Sequence, residues 1–309
     1  MAELYGLNGK KFQRQYKNSL SRFESWQQKT HAEYWLIFPE NISEQLSIDE
    51  VSLSDGELYT VLTSKIAKGR KGSIVAIVKG TRSDRVVEHL LKIDRRLRLK
   101  VKEITLDMAG SMKLIAKRCF PDALQVIDRF HVQKLAIEAL QELRIKHRWE
   151  AIDRENNAIG APSEGNQDIQ SFENGDSRKQ LLARSRYLLY KSREKWTISQ
   201  KHRAHILFTE YPDLKEAYQL TDDLRKIYNQ NIPKSVAMTK LAHGFRKVEE
   251  ADFKSFSILR KTIMNHYKEI LAFFDKRSTN ASAESFNAKI KNFRMQLRGV
   301  KDRTFFLFR

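Results

Sequence analysis

Short apolar stretches with the spacing of β-strands occupy residues 46–78. Residues 46–53 alternate apolar and polar side chains, and residues 58–66 and 73–78 form two further strand-like runs. This period of two is typical of strands that are buried on one face. Residues 54–57 (Ser-Asp-Gly-Glu) are a hairpin turn signal between the first two runs. Together these stretches predict an antiparallel meander of three strands.

Helical and strand periods then alternate. A helix is predicted from Ser83, a candidate N-cap, to residue 97, followed by a strand at 101–106, a short helix at 111–119 and a strand at 123–127. The order β-β-β-α-β-α-β joins an antiparallel meander to right-handed parallel crossovers. That order is typical of a ribonuclease-H-like core. We therefore predict the α/β class with a mixed sheet.

Helical periodicity dominates the rest of the chain. Residues 153–177, rich in Asn, Gly and acidic side chains, are predicted to be a mobile acidic loop. We predict an N-terminal helical segment (1–44), the ribonuclease-H-like core (45–134), a largely helical insertion domain (135–277) and C-terminal core helices (278–309). The individual helices are predicted at residues 9–30, 131–149, 178–196, 198–210, 212–230, 234–248, 252–275 and 280–297.

Charge makes a polyanion the leading partner. The 309 residues carry 57 Lys and Arg against 38 Asp and Glu, a net charge of +19, and residues 178–309 alone carry +16. Such an excess is self-repulsive unless a polyanion relieves it. Nucleic acid is the first candidate and an anionic membrane surface the second, and a merely soluble basic protein stays open on charge alone.

Composition excludes several classes of protein. Hydrophobic residues make up 41% and aromatic residues 10% of the chain, which is too much for a disordered polycation. A single cysteine, Cys119, excludes a disulfide framework and a cysteine-based zinc finger. No apolar run approaches the roughly 20 residues needed to cross a bilayer. We find no phosphate-binding glycine loop, nucleophile elbow or HExxH motif.

Three acidic residues are candidates for a catalytic metal site. Asp49 lies on the first predicted strand and Asp107 ends the fourth, and these two strands are neighbours in a sheet of the predicted order. Glu284 follows a Ser/Thr/Asn cluster, in the first turn of a predicted helix. Three converging carboxylates need hard divalent cations such as Mg²⁺ or Mn²⁺, and two such ions support phosphoryl transfer. An aspartate at a strand end is also an ordinary turn residue.

Four strings resemble the DDE insertion-sequence transposases of the ISL-three group. They are residues 48–50 (Ile-Asp-Glu), 104–108 (Ile-Thr-Leu-Asp-Met), 126–135 (Val-Ile-Asp-Arg-Phe-His-Val-Gln-Lys-Leu) and 284–291 (Glu-Ser-Phe-Asn-Ala-Lys-Ile-Lys). The resemblance implies the catalytic subunit of a bacterial DNA transposase, cytoplasmic and nucleoid-associated. It implies strand cleavage and strand transfer with two Mg²⁺ ions, for which Mn²⁺ substitutes.

The resemblance also assigns residues to roles. Asp49, Asp107 and Glu284 become the catalytic, metal-binding triad, and Asp128 and His131 belong to an auxiliary Asp-x-x-His signature. Ordinary structural roles remain open for His131, and a solvated basic helix is the alternative to a DNA contact. The candidate DNA-binding residues are Arg129, Lys289, Lys291, Arg294 and Arg298.

The expected partners are double-stranded DNA, as element ends and as target, and further copies of the same chain on that DNA, with no membrane. Family members usually carry an N-terminal zinc-binding and helix-turn-helix region. Here about 45 residues precede the first catalytic strand. We therefore expect a separate DNA-binding subunit or a truncated copy. Two rival functions stay open: an inactive DNA-binding remnant and a structure-specific nuclease.

Overall fold

A computed structural model describes residues 5–6, 8–54, 56–160, 171–297 and 300–309. By its internal contacts, this described part of the chain divides into two compact units. One, the sheet unit, combines Met1–Asp128 with Ser278–Arg309, and the other, the helical unit, is Arg129–Arg277. The helical unit begins where one continuous helix begins, six residues before the start predicted for the insertion domain. That this unit is an insertion into a nuclease core stays a prediction.

Within the described residues, one mixed sheet of six strands forms the centre of the sheet unit. Its strands are β1 Trp35–Ile37, β2 Gln45–Ser54, β3 Glu57–Ser64, β4 Ile74–Lys79, β5 Glu103–Leu106 and β6 Leu124–Ile127. Their spatial order is β1-β4-β3-β2-β5-β6, antiparallel from β1 to β2 and parallel from β2 through β5 to β6. The predicted meander and the predicted neighbourhood of the strands bearing Asp49 and Asp107 are confirmed. Strand β1 lies in the segment 1–44 that was predicted to be helical.

Helices make up most of the remaining described chain. Their bounds are α1 Gly9–Gln15, α2 Ser83–Leu90, α3 Arg95–Arg98, α4 Gly110–Cys119, α5 Arg129–Gly160, α6 Arg178–Arg184, α7 Arg186–Leu189, α8 Ile198–Glu210, α9 Pro212–Asn229, α10 Lys234–Ala251, α11 Lys254–Asn265, α12 Tyr267–Lys276, α13 Ala281–Gln296 and α14 Arg303–Phe308. None of the helices in the described residues is long and apolar enough to cross a membrane.

Two predicted helices are interrupted. The helix predicted at 9–30 ends at Gln15, a π-helical turn follows, and Arg22 then adopts a left-handed conformation with φ of 60° that stops helical geometry. The helix predicted from Ser83 to 97 splits into α2 and α3. Asp94 starts α3 by accepting a hydrogen bond from the Arg96 amide, and the N-cap of α2 is Arg82 rather than Ser83.

The predicted acidic loop at 153–177 is wrong in its first part, since α5 continues to residue 160. Two of its acidic side chains are buried and form ion pairs, which composition does not reveal. Glu155 binds the Lys179 ammonium group at 2.9 Å, and the fully buried Asp176 binds Arg184 and, at 3.1 Å, Arg203. Residues 161–170 of the predicted loop lie outside the described residues.

The two faces of the sheet differ. Alternation along β2 directs Asp49, Val51 and Leu53 to one face and Ile48 and Glu50 to the other. The first face carries an apolar cluster that includes Val51 and Leu53, and helix α13 packs on it through partly buried Phe and Ile side chains. We call this the α13 face. Asp49 therefore points to the side of the sheet that α13 covers.

Candidate active site

Three aspartates lie at matching positions of neighbouring parallel strands. The register of β2 and β5 pairs Ser47 with Thr105, so Asp49, inside β2, and Asp107, the residue after β5, both follow two positions later. Strands β5 and β6 stay in register to their last residues, and the next residues are Asp107 and Asp128. Adjacent strands lie about 4.8 Å apart. We call these three residues the acid row.

Both oxygens of Asp49 accept hydrogen bonds. Oδ1 accepts from the backbone N–H of Glu50 at 2.8 Å, and Oδ2 accepts from the side-chain amide of Asn287, on α13, at 2.7 Å. Asp107 is held differently, because its Oδ1 accepts from the backbone N–H of Ala109 at 2.8 Å in the turn that leads to α4. The two carboxylates are thus held by different elements, Asp49 by α13 and Asp107 by the turn after β5.

The electrostatics of Glu50 show how strongly negative this edge is. Burial raises the pKa of Glu50 above its ordinary value, and the carboxylates of Asp107 and Asp49 raise it further. Desolvation and like charges both disfavour an ionised carboxylate. A bound cation would relieve that repulsion.

Replacing Glu50 by Gln is expected to raise the unfolding temperature of the metal-free protein at about pH 7, and not at about pH 3. Because the folded-state pKa of Glu50 is raised from 4.5, the stability it contributes is fully present below that ordinary value. It is lost as the pH rises through the folded-state value, and a neutral amide avoids the loss. Thermal unfolding in a chelating buffer measures this, with the exposed Glu88→Gln as control. An equal rise in unfolding temperature at both pH values would contradict a raised pKa of Glu50.

Asp128 connects the acid row to the start of α13. It is 2% exposed, and its Oδ2 accepts a hydrogen bond of 2.6 Å from the backbone N–H of Asn280, the N-cap residue of that helix. A carboxylate at a helix N-terminus is stabilised by the helix dipole. Asp128 therefore holds the helix that carries Glu284.

Glu284 lies in the first turn of α13, as predicted, and is exposed. Residues three apart on a helix share a face, with Cβ atoms about 5–6 Å apart. Asn287 is three residues after Glu284 and is bonded to Asp49. Glu284 thus lies about one helical turn before the residue that contacts Asp49.

The three carboxylates of Asp49, Asp107 and Glu284 do not form a ready-made cage. Among the residues that the structure describes, no three His, Cys, Asp or Glu side chains are grouped so as to hold a metal ion. The chemistry of the donors nevertheless fits a hard divalent cation, since all three are carboxylates and two of them raise the pKa of Glu50. The assignment of metal ligands stays a proposal.

A largely buried lysine, Lys65, lies near the acid row and was not predicted from the sequence. The Lys65 ammonium group binds Glu103 Oε1 at 3.0 Å and also donates to the Thr105 hydroxyl. Burial lowers the pKa of Lys65, and the charges of Glu103 and Asp128 partly oppose that shift. The signal in the sequence was an acidic residue, Glu103, inside a strand whose other residues are apolar or Thr.

The predicted basic residues have different surroundings. Lys289, on α13, donates a hydrogen bond of 2.7 Å to the backbone carbonyl of Gly69 and so holds the loop after β3. Lys291 is exposed and Arg294 is half-buried on the same helix, and Arg298 lies outside the described residues. Lys291 and Arg294 therefore stay the predicted DNA contacts of α13.

Arg129 and His131 belong to the helical unit, at the start of α5. Arg129 donates to the side chain of Asn229 at 3.3 Å, and the half-buried His131 ring lies edge-on to the ring of Phe130. These contacts are local to that unit. They fit a structural role for both residues, and the predicted catalytic and DNA-binding roles stay predictions.

Comparison with known families identifies the family of the chain. The family model DDE_Tnp_ISL3, described as a transposase, matches residues 46–309. The protein is therefore a transposase, an enzyme that cleaves nucleic acid and takes DNA as its substrate. It belongs to the ISL-three group of DDE transposases, as the sequence resemblance predicted. Neither the curated proteins nor the solved structures that were compared contain a match.

Proposed function

We propose that this transposase cuts and joins the DNA strands of an insertion sequence with Asp49, Asp107 and Glu284 as its catalytic carboxylates. The single observation that carries the proposal is the acid row, in which Asp49 on β2 and Asp107 just after β5 stand at matching positions of adjacent parallel strands and the helix bearing Glu284 is bonded to Asp49. The strand order β4-β3-β2-β5-β6 supports a ribonuclease-H-like core, with β1 as an added edge strand.

Two reactions would use this one site. In the first, a water oxygen attacks a phosphodiester at the element end, a new P–O bond forms, and the bond to the 3′ oxygen breaks to leave a 3′-hydroxyl. In the second, that hydroxyl oxygen attacks a phosphodiester of the target, and a 3′ oxygen of the target strand leaves. Two Mg²⁺ ions, when bound, would supply the Lewis acidity for both displacements.

The residues of the chain would bind the metal ions and the DNA and hold α13 in place. Asp49 and Asp107 would present oxygen ligands from the sheet, and Glu284 would complete the set from α13 by reorienting its exposed side chain. Asp128 and Asn287 would keep α13 in place against the strand ends. Lys291 and Arg294 would hold phosphates of the DNA backbone, which positions a duplex without reading its sequence.

The proposed strand transfer is tested with a pre-cleaved DNA end. A labelled duplex taken from the DNA that flanks the coding sequence, ending in a 3′-hydroxyl, is incubated with the full chain, Mn²⁺ and a supercoiled target. We expect labelled joined products, and none from the same duplex with a 3′-deoxy end. Cleavage without joining would indicate a structure-specific nuclease. Salt-sensitive binding without either reaction would indicate an inactive remnant.

A further inference from the structure

The side-chain amide of Asn287, on α13, contacts an acidic residue of the acid row. Its Nδ2 donates to Asp49 Oδ2 at 2.7 Å, and the residue is only 8% exposed. A carboxylate only accepts hydrogen bonds, so this contact fixes which end of the amide faces Asp49.

The other end of the same amide has no partner. Asn287 Oδ1 is buried and accepts no hydrogen bond from any described residue. An unsatisfied buried acceptor costs about 1–3 kcal/mol. Such a group beside a candidate catalytic carboxylate fits an O–H donor that arrives with the loaded site, such as a water molecule.

Helix α13 is attached to the sheet unit near both sides of Asn287. Before it, the Asn280 N–H binds Asp128 at 2.6 Å, and after it Lys289 binds the carbonyl of Gly69 at 2.7 Å. Gly69 has a φ of 71°, a left-handed conformation that glycine adopts without strain. These attachments fix the height and rotation of Asn287 over Asp49.

We propose that Asn287 is a positioning residue that orients the carboxylate of Asp49 for cation binding and offers Oδ1 to an O–H donor at the site. The inference rests on the proposed function, because it takes Asp49 as a metal ligand. Groups that orient metal ligands typically change metal affinity or activity by about 10–100-fold when removed. If Asn287 only filled space, any side chain of the same volume would serve in its place.

The test compares Asn287→Leu with Asn292→Leu in the full chain. Leucine has nearly the shape of asparagine but cannot hydrogen-bond, and Asn292 is exposed on the same helix. Binding of Mn²⁺ alone is followed by the electron paramagnetic resonance signal of free Mn²⁺. We expect Asn287→Leu to bind Mn²⁺ about 10–100-fold more weakly and Asn292→Leu to bind it as the wild type does. Equal affinities in the two variants would overturn the proposal.

Folding and orientation are separated by recording thermal unfolding of the same samples. If Asn287→Leu binds Mn²⁺ more weakly but unfolds at the same temperature as Asn292→Leu, the loss of affinity is assigned to the orientation of Asp49. If that variant does not fold, Asn287→Ser is measured instead. Its hydroxyl is too short to reach Asp49, so wild-type affinity in Asn287→Ser also overturns the proposal.

Asp49→Asn distinguishes this inference from the proposed function. Wild-type Mn²⁺ affinity in Asp49→Asn would show that Asp49 is not a ligand, and the proposed function would fail together with the inference. Weak binding in Asp49→Asn with normal binding in Asn287→Leu would overturn the inference alone. Weak binding in both variants supports both.

Discussion

Asp107→Asn is expected to lower Mn²⁺-dependent nicking by about 10²–10⁴-fold, since a metal ligand supplies several kcal/mol to the transition state and each decade is about 1.36 kcal/mol. The fold should persist. The amide has the size of the carboxylate, and its oxygen can still accept the hydrogen bond from the Ala109 N–H. What the variant lacks is the negative charge and an oxygen ligand at the end of β5.

Nicking of supercoiled DNA measures the activity of Asp107→Asn, and far-UV circular dichroism and salt-dependent DNA binding measure what should stay unchanged. The matched control is Asp122→Asn, which makes the same change at an exposed position in the turn before β6. It should nick as the wild type does. Normal nicking by Asp107→Asn would remove Asp107 from the catalytic set.

Lys65→Met is expected to destabilise the protein by about 3–5 kcal/mol, because removing one partner of a buried ion pair leaves the other charge uncompensated. The side chains of Lys65 and Glu103 are 11% and 3% exposed, and they lie 3.0 Å apart. Without the ammonium group, the carboxylate of Glu103 is buried between strands without a cation. Lys65→Met combined with Glu103→Met should recover most of the loss, since an apolar pair fits the same space.

Chemical unfolding of the full chain measures the stability of these variants. Lys102→Met is the matched control, because Lys102 adjoins Glu103 in sequence but pairs with Glu44 in an exposed ion pair, with side chains 66% and 58% exposed. Exposed pairs contribute about 0–1 kcal/mol. Equal destabilisation by Lys65→Met and Lys102→Met would show that burial of the Lys65–Glu103 pair does not matter.

The strands could be predicted wherever alternation extends over several residues. Strands β2 to β6 follow their predicted ranges closely. Strand β1, three residues long, is too short to show a period and is formed by pairing with β4, for example Trp35 with Val78. The end of α5 was predicted to be a loop because Asn and Gly are poor helix formers, whereas its Glu155 is held by Lys179, 24 residues later. Pairing over such distances leaves no local pattern.

The residues of the candidate site likewise differ in whether a local sequence pattern could predict them. Asp49 and Asp107 could be placed side by side because strand order follows from element order. Asn287 and Lys65 were missed because their importance depends on which side chain they meet across the sheet unit. Asn287 belongs to the string 284–291 that carried the family resemblance, but the string gave it no role of its own, and a lysine at a strand end has no distinctive spacing.

The bond between Asp128 and Asn280 joins two points that are 152 positions apart in the chain. The polypeptide leaves the sheet unit immediately after the first of them and has returned just before the second. The point where the chain leaves the sheet unit and the point where it returns are therefore joined by a hydrogen bond to a carboxylate. We therefore expect that changes in the length of the segment between them leave the strand ends in place.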